Sequence, residues 1–227
     1  MTFTEPLAQL FTRSKLMILD FSEIPADAPD AENIRLFFED CERRGLNPRE
    51  PQNRQQFNNR MLAESGARYL VSRYAEDRSA MLTGSQIARE GRTLHMGIDI
   101  FSKNLEPVFA PCDGEIVRTG FEDEDHSYGH YLIIKPAEFS GVYLFMGHLS
   151  SELPSAGPVT AGQRIATLGD YHQHENGGWS RHLHLQFIRE LPPEGETPNG
   201  YSTKAAFAEN SQRFPSAFDL FPAWQLH

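Results

Sequence analysis

Beyond about residue 67 the chain is divided into many short runs of β-branched and aromatic residues, and this feature constrains its fold most. The runs are RYLVSRYAEDR, TLHMGIDIF, GEIVRTG, HYLIIKP, GVYLFMGHL, QRIATLG and RHLHLQFIR. Turn-forming residues separate them, as in Pro111-Cys112-Asp113-Gly114 and Gly157-Pro158. Most of the 17 glycines and 15 prolines lie beyond residue 90, which favours turns over long helices. We therefore predict a mainly β fold with a compact, mostly antiparallel sheet.

The first 64 residues have a different pattern. Leu7 to Leu16 fits a short helix, and LMILDFS is more typical of a strand. AENIRLFFEDCERRGL places apolar residues at helical spacing and ends near Gly45, and QNRQQFNNRMLAES fits a second helix or a loop. We predict a helical and extended appendage of unknown role over residues 1–64. We predict a β domain over residues 65–227 and expect its C-terminal aromatic cluster FPSAFDLFPAW to fold back over the core.

The composition excludes several classes of partner. A formal net charge of −10 repels nucleic acid and anionic membranes, so we expect neither as a partner. No apolar run reaches the roughly 18–20 residues that span a bilayer, and no signal-peptide pattern is visible. We expect a cytoplasmic location, with an exported or cell-envelope location as the alternative if a leader is missing. Cys41 and Cys112 are either two buried thiols or one disulfide.

Five residues in three short phrases have the chemistry of a metal site. The phrases are HMGID, GHLS and HLHLQ, and the residues are His95, Asp99, His148, His182 and His184. Imidazole nitrogens and a carboxylate oxygen are donors that suit Zn²⁺. On a strand, His182 and His184 share one face about 6.6 Å apart, while Leu183 and Leu185 face the core.

The spacing within HMGID requires a bend. In a flat strand His95 and Asp99 would lie roughly 13 Å apart, too far to share one metal ion. Gly97 is the residue that permits the chain to bend between them. One carboxylate and two imidazoles leave a fourth position for water, as in catalytic zinc sites. The two remaining histidines are suited to proton transfer and oxyanion stabilisation near neutral pH.

Together, the three phrases resemble the lysostaphin-like family of zinc metallopeptidases over roughly residues 92–188. PVFAPCDGEIV, YGHYLII and GPVTAGQRIATLG resemble the strands between the family's motifs. The resemblance implies an antiparallel β domain with one Zn²⁺ per chain, held by His95, Asp99 and His184. It also implies that His182 acts as general base and that His148 stabilises the oxyanion or donates a proton. The implied function is hydrolysis of peptide bonds in a peptide or peptidoglycan fragment.

One segment departs from the family pattern. The small-residue approach to the last motif is replaced by the bulky DYHQHENGGWSR, in which Trp179 either lines the groove or pins the loop. The alternative function is a non-catalytic, metal-holding module that binds a peptide or a protein partner. The sequence leaves open the scissile bond, the oligomeric state and the role of residues 1–64.

Overall fold

In this computed structural model, the described residues are 16–19, 32–124, 126–138 and 140–216. Their strands are β1 (Leu16–Leu19), β2 (Tyr69–Ser72), β3 (Arg92–His95), β4 (Ile98–Phe101), β5 (Pro107–Phe109), β6 (Gly114–Glu122), β7 (Gly129–Pro136), β8 (Tyr143–Leu149), β9 (Gly157–Val159), β10 (Arg164–Thr167), β11 (His182–Ile188) and β12 (Tyr201–Thr203). Their helices are α1 (Glu32–Arg44), α2 (Pro51–Ser65), α3 (Ser79–Leu82), α4 (Gln86–Arg89), α5 (Gln173–Asn176) and α6 (Phe207–Arg213).

One sheet of eight strands dominates the architecture. Its order is β1-β2-β4-β11-β8-β7-β6-β9, and the pairs β10-β5 and β12-β3 form two small additional sheets. The pairing is antiparallel except between β1 and β2, which are parallel at one edge. The prediction of a mainly antiparallel β fold is therefore confirmed.

The long strand β11 has two faces with different roles. Leu183, Leu185 and Phe187 pack into the largest apolar core, which also includes residues of the small β10-β5 sheet. The alternate residues His182 and His184 are also buried, but they lie in the lining of a cavity. Since successive side chains of a strand point to opposite faces, β11 separates the core from the cavity.

The helices before β2 end and begin where the sequence predicts. Helix α1 stops before Gly45, which has φ +63° and lets the chain reverse. Helix α2 has Pro51 in its first turn and ends at Gly66 with φ +62°. The segment QNRQQFNNRMLAES, for which a helix and a loop were both open, is thus a helix.

Helix α2 is attached to the strands that carry the site. The buried side chain of Gln55 donates from Nε2 to the backbone oxygen of Ser102 at 3.0 Å. Its Oε1 accepts from the backbone N–H of Arg181 at 2.7 Å. Phe57 packs with Phe37 of α1 in a second apolar cluster. These contacts connect the helical appendage with the ends of β4 and β11.

Several further predictions can be compared with the described residues. Strand β1 occupies the run LMIL, as predicted. The helix predicted from Leu7 lies almost wholly outside the described residues. In the C-terminal aromatic cluster Phe214 is buried, and the residues after 216 lie outside the described part. Cys41 and Cys112 are free thiols. None of the helices within the described ranges is long and apolar enough to cross a membrane.

Candidate metal and catalytic site

Strand pairing brings the first two site residues together. In the antiparallel register of β4 and β11, Asp99 lies directly opposite His184. Cross-strand neighbours of this kind have side chains that start only about 5 Å apart. The two residues are 85 positions apart in sequence, so only the sheet can make them neighbours.

His95 lies close to Asp99 and His184 because the backbone bends between strands β3 and β4. Strand β3 ends at His95 and β4 begins at Ile98, so the predicted bend is present at Met96 and Gly97. A Cβ atom at Gly97 would lie 2.6 Å from Cε1 of His184 and 2.8 Å from the backbone oxygen of Leu185. Glycine is needed here because the backbone passes directly against an imidazole ring.

The donor atoms of His95, Asp99 and His184 converge. Nε2 of His95 lies 3.1 Å from Nδ1 of His184. Oδ1 of Asp99 lies 2.9 Å from Nδ1 of His184 and 3.5 Å from Nε2 of His95. All three side chains are buried, and among the described residues they form a group able to hold a metal ion.

The surrounding acceptors determine where the imidazole protons lie. Nδ1 of His95 faces the backbone oxygen of Arg73 at 3.5 Å, which favours a proton on Nδ1 and a lone pair on Nε2. Nε2 of His184 lies 2.9 Å from Oε1 of Gln186. That amide is oriented by its own Nε2, which donates to the backbone oxygen of Asn199 at 3.1 Å. His184 is therefore protonated on Nε2 and presents the lone pair of Nδ1 to Asp99.

The charge states agree with this assignment. Burial would by itself raise the pKa of Asp99, but positive charge beside the carboxylate, including that of the Arg78 guanidinium, holds that pKa well below its usual range. Burial, reinforced by the positive charge of Arg78, holds the pKa of His95 well below its usual range. The cluster is thus an ionised carboxylate beside a neutral imidazole.

This arrangement fits a divalent cation. The lone pairs of two imidazole nitrogens and of one carboxylate oxygen point at one another with no proton between them, so these atoms repel each other. A cation bound among them would remove the repulsion. Ligands about 2.0–2.1 Å from a tetrahedral zinc ion are separated from each other by about 3.3 Å. The observed separations of 3.1, 2.9 and 3.5 Å match that edge length. The donor set therefore suits zinc.

His148 and His182 lie beside this cluster. Their ring centroids are 4.2 Å apart, and Nε2 of His182 is 3.7 Å from Oδ1 of Asp99. Nδ1 of His148 is 2.8 Å from the backbone oxygen of Asn176, and Nδ1 of His182 is 2.6 Å from that of Ser180. Both rings thus donate from Nδ1 to a carbonyl, which leaves a lone pair on each Nε2.

The backbone of His148 has an unusual conformation. Its φ of +63° is in the left-handed region, where residues other than glycine are uncommon. The backbone N–H donates to the oxygen of Tyr128 at 2.8 Å, and the backbone oxygen accepts from Gly169 at 2.9 Å. Conformations of this kind persist where the surroundings enforce them, often at functional sites. The imidazole of this residue lies 4.2 Å from that of His182, centroid to centroid.

Burial also keeps the second pair of histidines neutral. Burial holds the pKa of His148 well below its usual range, and positive charge on the neighbouring His182 or His184 would lower that pKa further. Burial likewise lowers the pKa of His182, against the opposing effect of Asp99. Both rings are accordingly proton acceptors at neutral pH.

All five residues line a cavity of about 550 Å³. Trp179 forms part of its wall, and the indole Nε1 donates to the backbone oxygen of Ser127 at 3.1 Å. Both roles considered for Trp179 are therefore present. Arg49 and Arg54 of the N-terminal segment also line the cavity, which makes the appendage part of its wall.

Sequence reasoning missed several residues that hold the site. Gln186 follows His182 and His184 on the same face of β11, and this alternation was the signal that could have revealed it. Asn176 is fully buried and accepts from His148 through its backbone oxygen. Arg78 lies 2.7 Å from Oδ2 of Asp99, and no motif pointed to it.

Comparison with known proteins gives a family for this region. Residues 93–198 match the model of peptidase family M23. An uncharacterized metalloprotease of Haemophilus influenzae is 32% identical over 131 residues, which cover 56% of this chain and 25% of that protein. The matched segment thus spans about a quarter of this curated relative.

Solved structures of similar fold include two peptidases. The catalytic domain of lysostaphin from Staphylococcus simulans is 22% identical, with a TM-score of 0.38, over 52% of this chain and 80% of that one. A zinc-containing peptidase from Vibrio cholerae is 27% identical, with a TM-score of 0.35, over 42% of this chain and 27% of that one.

The family match covers all five site residues, from His95 to His184. The family is one of metallopeptidases, and the His95–Asp99–His184 group can bind a metal ion. Residues 93–198 of this chain therefore match peptidase family M23, and the group able to hold a metal ion agrees with a metallopeptidase of that family.

Proposed function

We propose that this protein is a zinc-dependent endopeptidase or amidase. It cleaves peptide bonds in short, flexible peptides of the peptidoglycan type. The observation that carries the proposal is the convergence of three potential ligand atoms beside two further imidazoles, each of which contacts a backbone oxygen through Nδ1. A purely structural cluster of histidines has no need of five such groups in one cavity.

His95, Asp99 and His184 would hold the ion through Nε2, Oδ1 and Nδ1. Zinc bound at such a site supplies a Lewis acid that polarises a carbonyl and lowers the pKa of a bound water towards about 7. The second contacts of the two imidazoles, to the oxygens of Arg73 and Gln186, keep the ligand nitrogens deprotonated and aimed inward.

The remaining histidines move the protons. His182 accepts a proton at Nε2 from the attacking water, because this ring is adjacent to Asp99 and is fixed as an acceptor by Ser180. The resulting imidazolium returns the proton to the leaving amine, so that water is divided between a carboxyl and an amino product. His148 lies in ring contact with His182 and shares at its own Nε2 the proton that His182 has taken from the water. While it holds that proton it donates to the substrate oxygen that becomes negative, and it gives the proton back to His182 before the amine leaves.

The cavity has room for a short segment of peptide. Its wall is formed by the N-terminal segment at Arg49 and Arg54, by the loop at Trp179, and by the segment from Gly195 to Tyr201. A volume of about 550 Å³ accommodates a few amino-acid residues around the scissile bond. Peptide stems and bridges of peptidoglycan have this size and flexibility.

The test combines metal analysis with a cleavage screen. Purified protein is assayed for zinc and then for hydrolysis of peptides and muropeptides, before and after chelation. We expect about one zinc per chain, loss of hydrolysis on chelation and recovery with added Zn²⁺. His184→Ala should bind no zinc and be inactive, whereas His174→Ala, at an exposed histidine, should behave as wild type. Hydrolysis by fully metal-free protein would overturn the proposal. Stoichiometric zinc without hydrolysis of any substrate would favour a non-catalytic binding module.

A further inference from the structure

Arg78 is a buried cation in contact with the candidate metal site. Its side chain is 3% exposed, and one terminal nitrogen lies 2.7 Å from Oδ2 of Asp99. The other oxygen of that carboxylate, Oδ1, faces His95 and His184. The two oxygens of Asp99 therefore have different partners. One forms an ion pair with a guanidinium but accepts no hydrogen bond, and the other belongs to the ligand cluster.

The guanidinium is fixed in place by several further bonds. Its Nε donates to Oε1 of Glu76 at 2.6 Å, and its terminal nitrogens donate to Oγ of Ser72 at 2.9 Å and to the hydroxyl of Tyr201 at 3.2 Å. Because guanidinium is planar, partners on its different edges determine its orientation as well as its position.

Ser72 holds the backbone of the same ligand. Its Oγ accepts the backbone N–H of Asp99 at 2.8 Å and also accepts from Arg78. The backbone and the side chain of Asp99 are thus tied to a single unit made of Ser72, Glu76, Arg78 and Tyr201. These four residues lie outside the segment 93–198 that matches the M23 model.

The network also sets the charge around the donors. The side chains of Glu76 and Asp99 are each 1% exposed and lie on either side of one guanidinium. Two carboxylates and one guanidinium carry a net charge of −1. Without Arg78 two buried anions would face each other, and without Glu76 the charges around the metal ligands would cancel.

We propose that Arg78 is a positioning residue for the metal site. By occupying Oδ2 it restricts Asp99 to ligation through Oδ1 alone, and Glu76 compensates the charge of Arg78 so that the site still attracts a divalent cation. This inference rests on the proposed metal-dependent function, because it assigns these residues a role toward the metal.

The test measures metal binding directly, on the full chain. Zinc affinity is determined by chelator competition for wild type, Arg78→Met, Arg78→Lys and Glu76→Gln. Loss of a partner that orients a ligand typically weakens metal binding by about 10- to 100-fold, and we expect this for Arg78→Met. Arg78→Lys should recover part of the affinity, since lysine restores the charge without the planar fork. Arg60→Met is the matched control. It removes another arginine paired with a buried aspartate, Asp40, in the helical appendage.

The visible spectrum of the Co²⁺-substituted protein separates orientation from charge. If Oδ2 is released in Arg78→Met, Asp99 can bind through both oxygens. The intense bands of four-coordinate cobalt should then weaken. Glu76→Gln should lower the affinity but retain the wild-type spectrum, because Arg78 still holds Oδ2.

The outcomes distinguish this inference from the proposed function. Zinc affinity and cobalt spectra that are unchanged in Arg78→Lys and Glu76→Gln would overturn the positioning role, even if wild type is a zinc peptidase. If Arg78→Met does not fold, these two milder variants still decide the question. A wild-type protein that binds no metal would overturn both proposals.

Discussion

The imidazole rings of His148 and His182 lie 4.2 Å apart, and each contacts a backbone oxygen through Nδ1. They come from different strands, β8 and β11, yet have the same tautomer and leave Nε2 for the cavity. Neither ring is needed to complete the cluster of His95, Asp99 and His184, so the proposed mechanism assigns proton transfer and metal binding to different residues.

Replacement of His148 or His182 should therefore reduce peptide hydrolysis but leave zinc binding intact. We expect His182→Ala and His148→Ala each to lower kcat/KM by about 10²- to 10⁴-fold, the usual contribution of a positioned acid or base. Zinc content should remain near that of wild type. Kinetics on a cleaved peptide and metal analysis of the same samples check this. Loss of zinc in both variants would contradict the separation of roles.

A methyl group at Gly97 should displace the ligand side chains while leaving every one of them present. In Gly97→Ala the new Cβ would lie 2.6 Å from Cε1 of His184, so the imidazole or the chain has to move. Because ligands must be held accurately, we expect zinc affinity to fall by about tenfold or more.

Gly114→Ala serves as the control for this prediction. Its Cβ would lie 2.4 Å from the backbone oxygen of Lys135, in the β6–β7 pair and away from the donors. This variant should lose thermal stability and keep its zinc affinity. Equal zinc affinities for the two variants, measured by chelator competition, would show that Gly97 has no special relation to His184.

Acidification should destabilise the metal-free protein, partly through His148. Burial lowers the pKa of His148 in the folded state, so between its unfolded pKa of about 6.5 and the lower folded value the unfolded chain binds more protons. Stability is therefore lost as the pH falls below about 6.5, with a slope of up to about 1.4 kcal/mol per pH unit for this one group. Urea unfolding at a series of pH values measures this slope.

A shallower slope is expected for His148→Asn. Asparagine does not titrate and tolerates the left-handed backbone of this position better than most residues. His174→Asn, which removes a histidine whose side chain is 80% exposed, should leave the slope unchanged. If His148→Asn retained the wild-type slope, the conclusion that His148 is neutral in the folded protein would be wrong.

Loss of the Gln55 side chain should weaken the attachment of helix α2. In Gln55→Ala the backbone N–H of Arg181 and the oxygen of Ser102 lose buried partners. Such unsatisfied groups cost about 1–3 kcal/mol in the free energy of unfolding. Gln56→Ala, the exposed neighbour on the same helix, is the matched control and should change stability little. Equal free energies of unfolding for Gln55→Ala and wild type would show that the hydrogen bonds of Gln55 do not stabilise the protein.

The β architecture was readable from the sequence because its signals are local. Runs such as HYLIIKP and RHLHLQFIR correspond to β7 and β11. In a flat strand His95 and Asp99 would be too far apart to bind one metal ion, and this distance predicted the bend at Gly97. The grouping of the five site residues also followed from spacing and motif order, with a family resemblance to support it.

The supporting residues were not predictable, because their role depends on contacts between distant segments. Arg78 is 21 positions from Asp99 and lies in a stretch with no recognisable motif. Glu76 resembles an ordinary surface carboxylate in sequence, yet its side chain is 1% exposed. The left-handed conformation of His148 is likewise imposed by its contacts with Tyr128 and Gly169, and no residue near it signals this.

The anchoring of Asp99 by Ser72, Arg78 and Tyr201 has a consequence for dividing this chain. A fragment trimmed to residues 93–198 would retain all five site residues, four histidines and Asp99. It would lose Arg78, which contacts the carboxylate, together with Ser72 and Tyr201, which hold the Asp99 backbone and the guanidinium. Motif boundaries and functional boundaries therefore differ here. The smallest piece that preserves the native ligand geometry extends from before β2 to beyond β12.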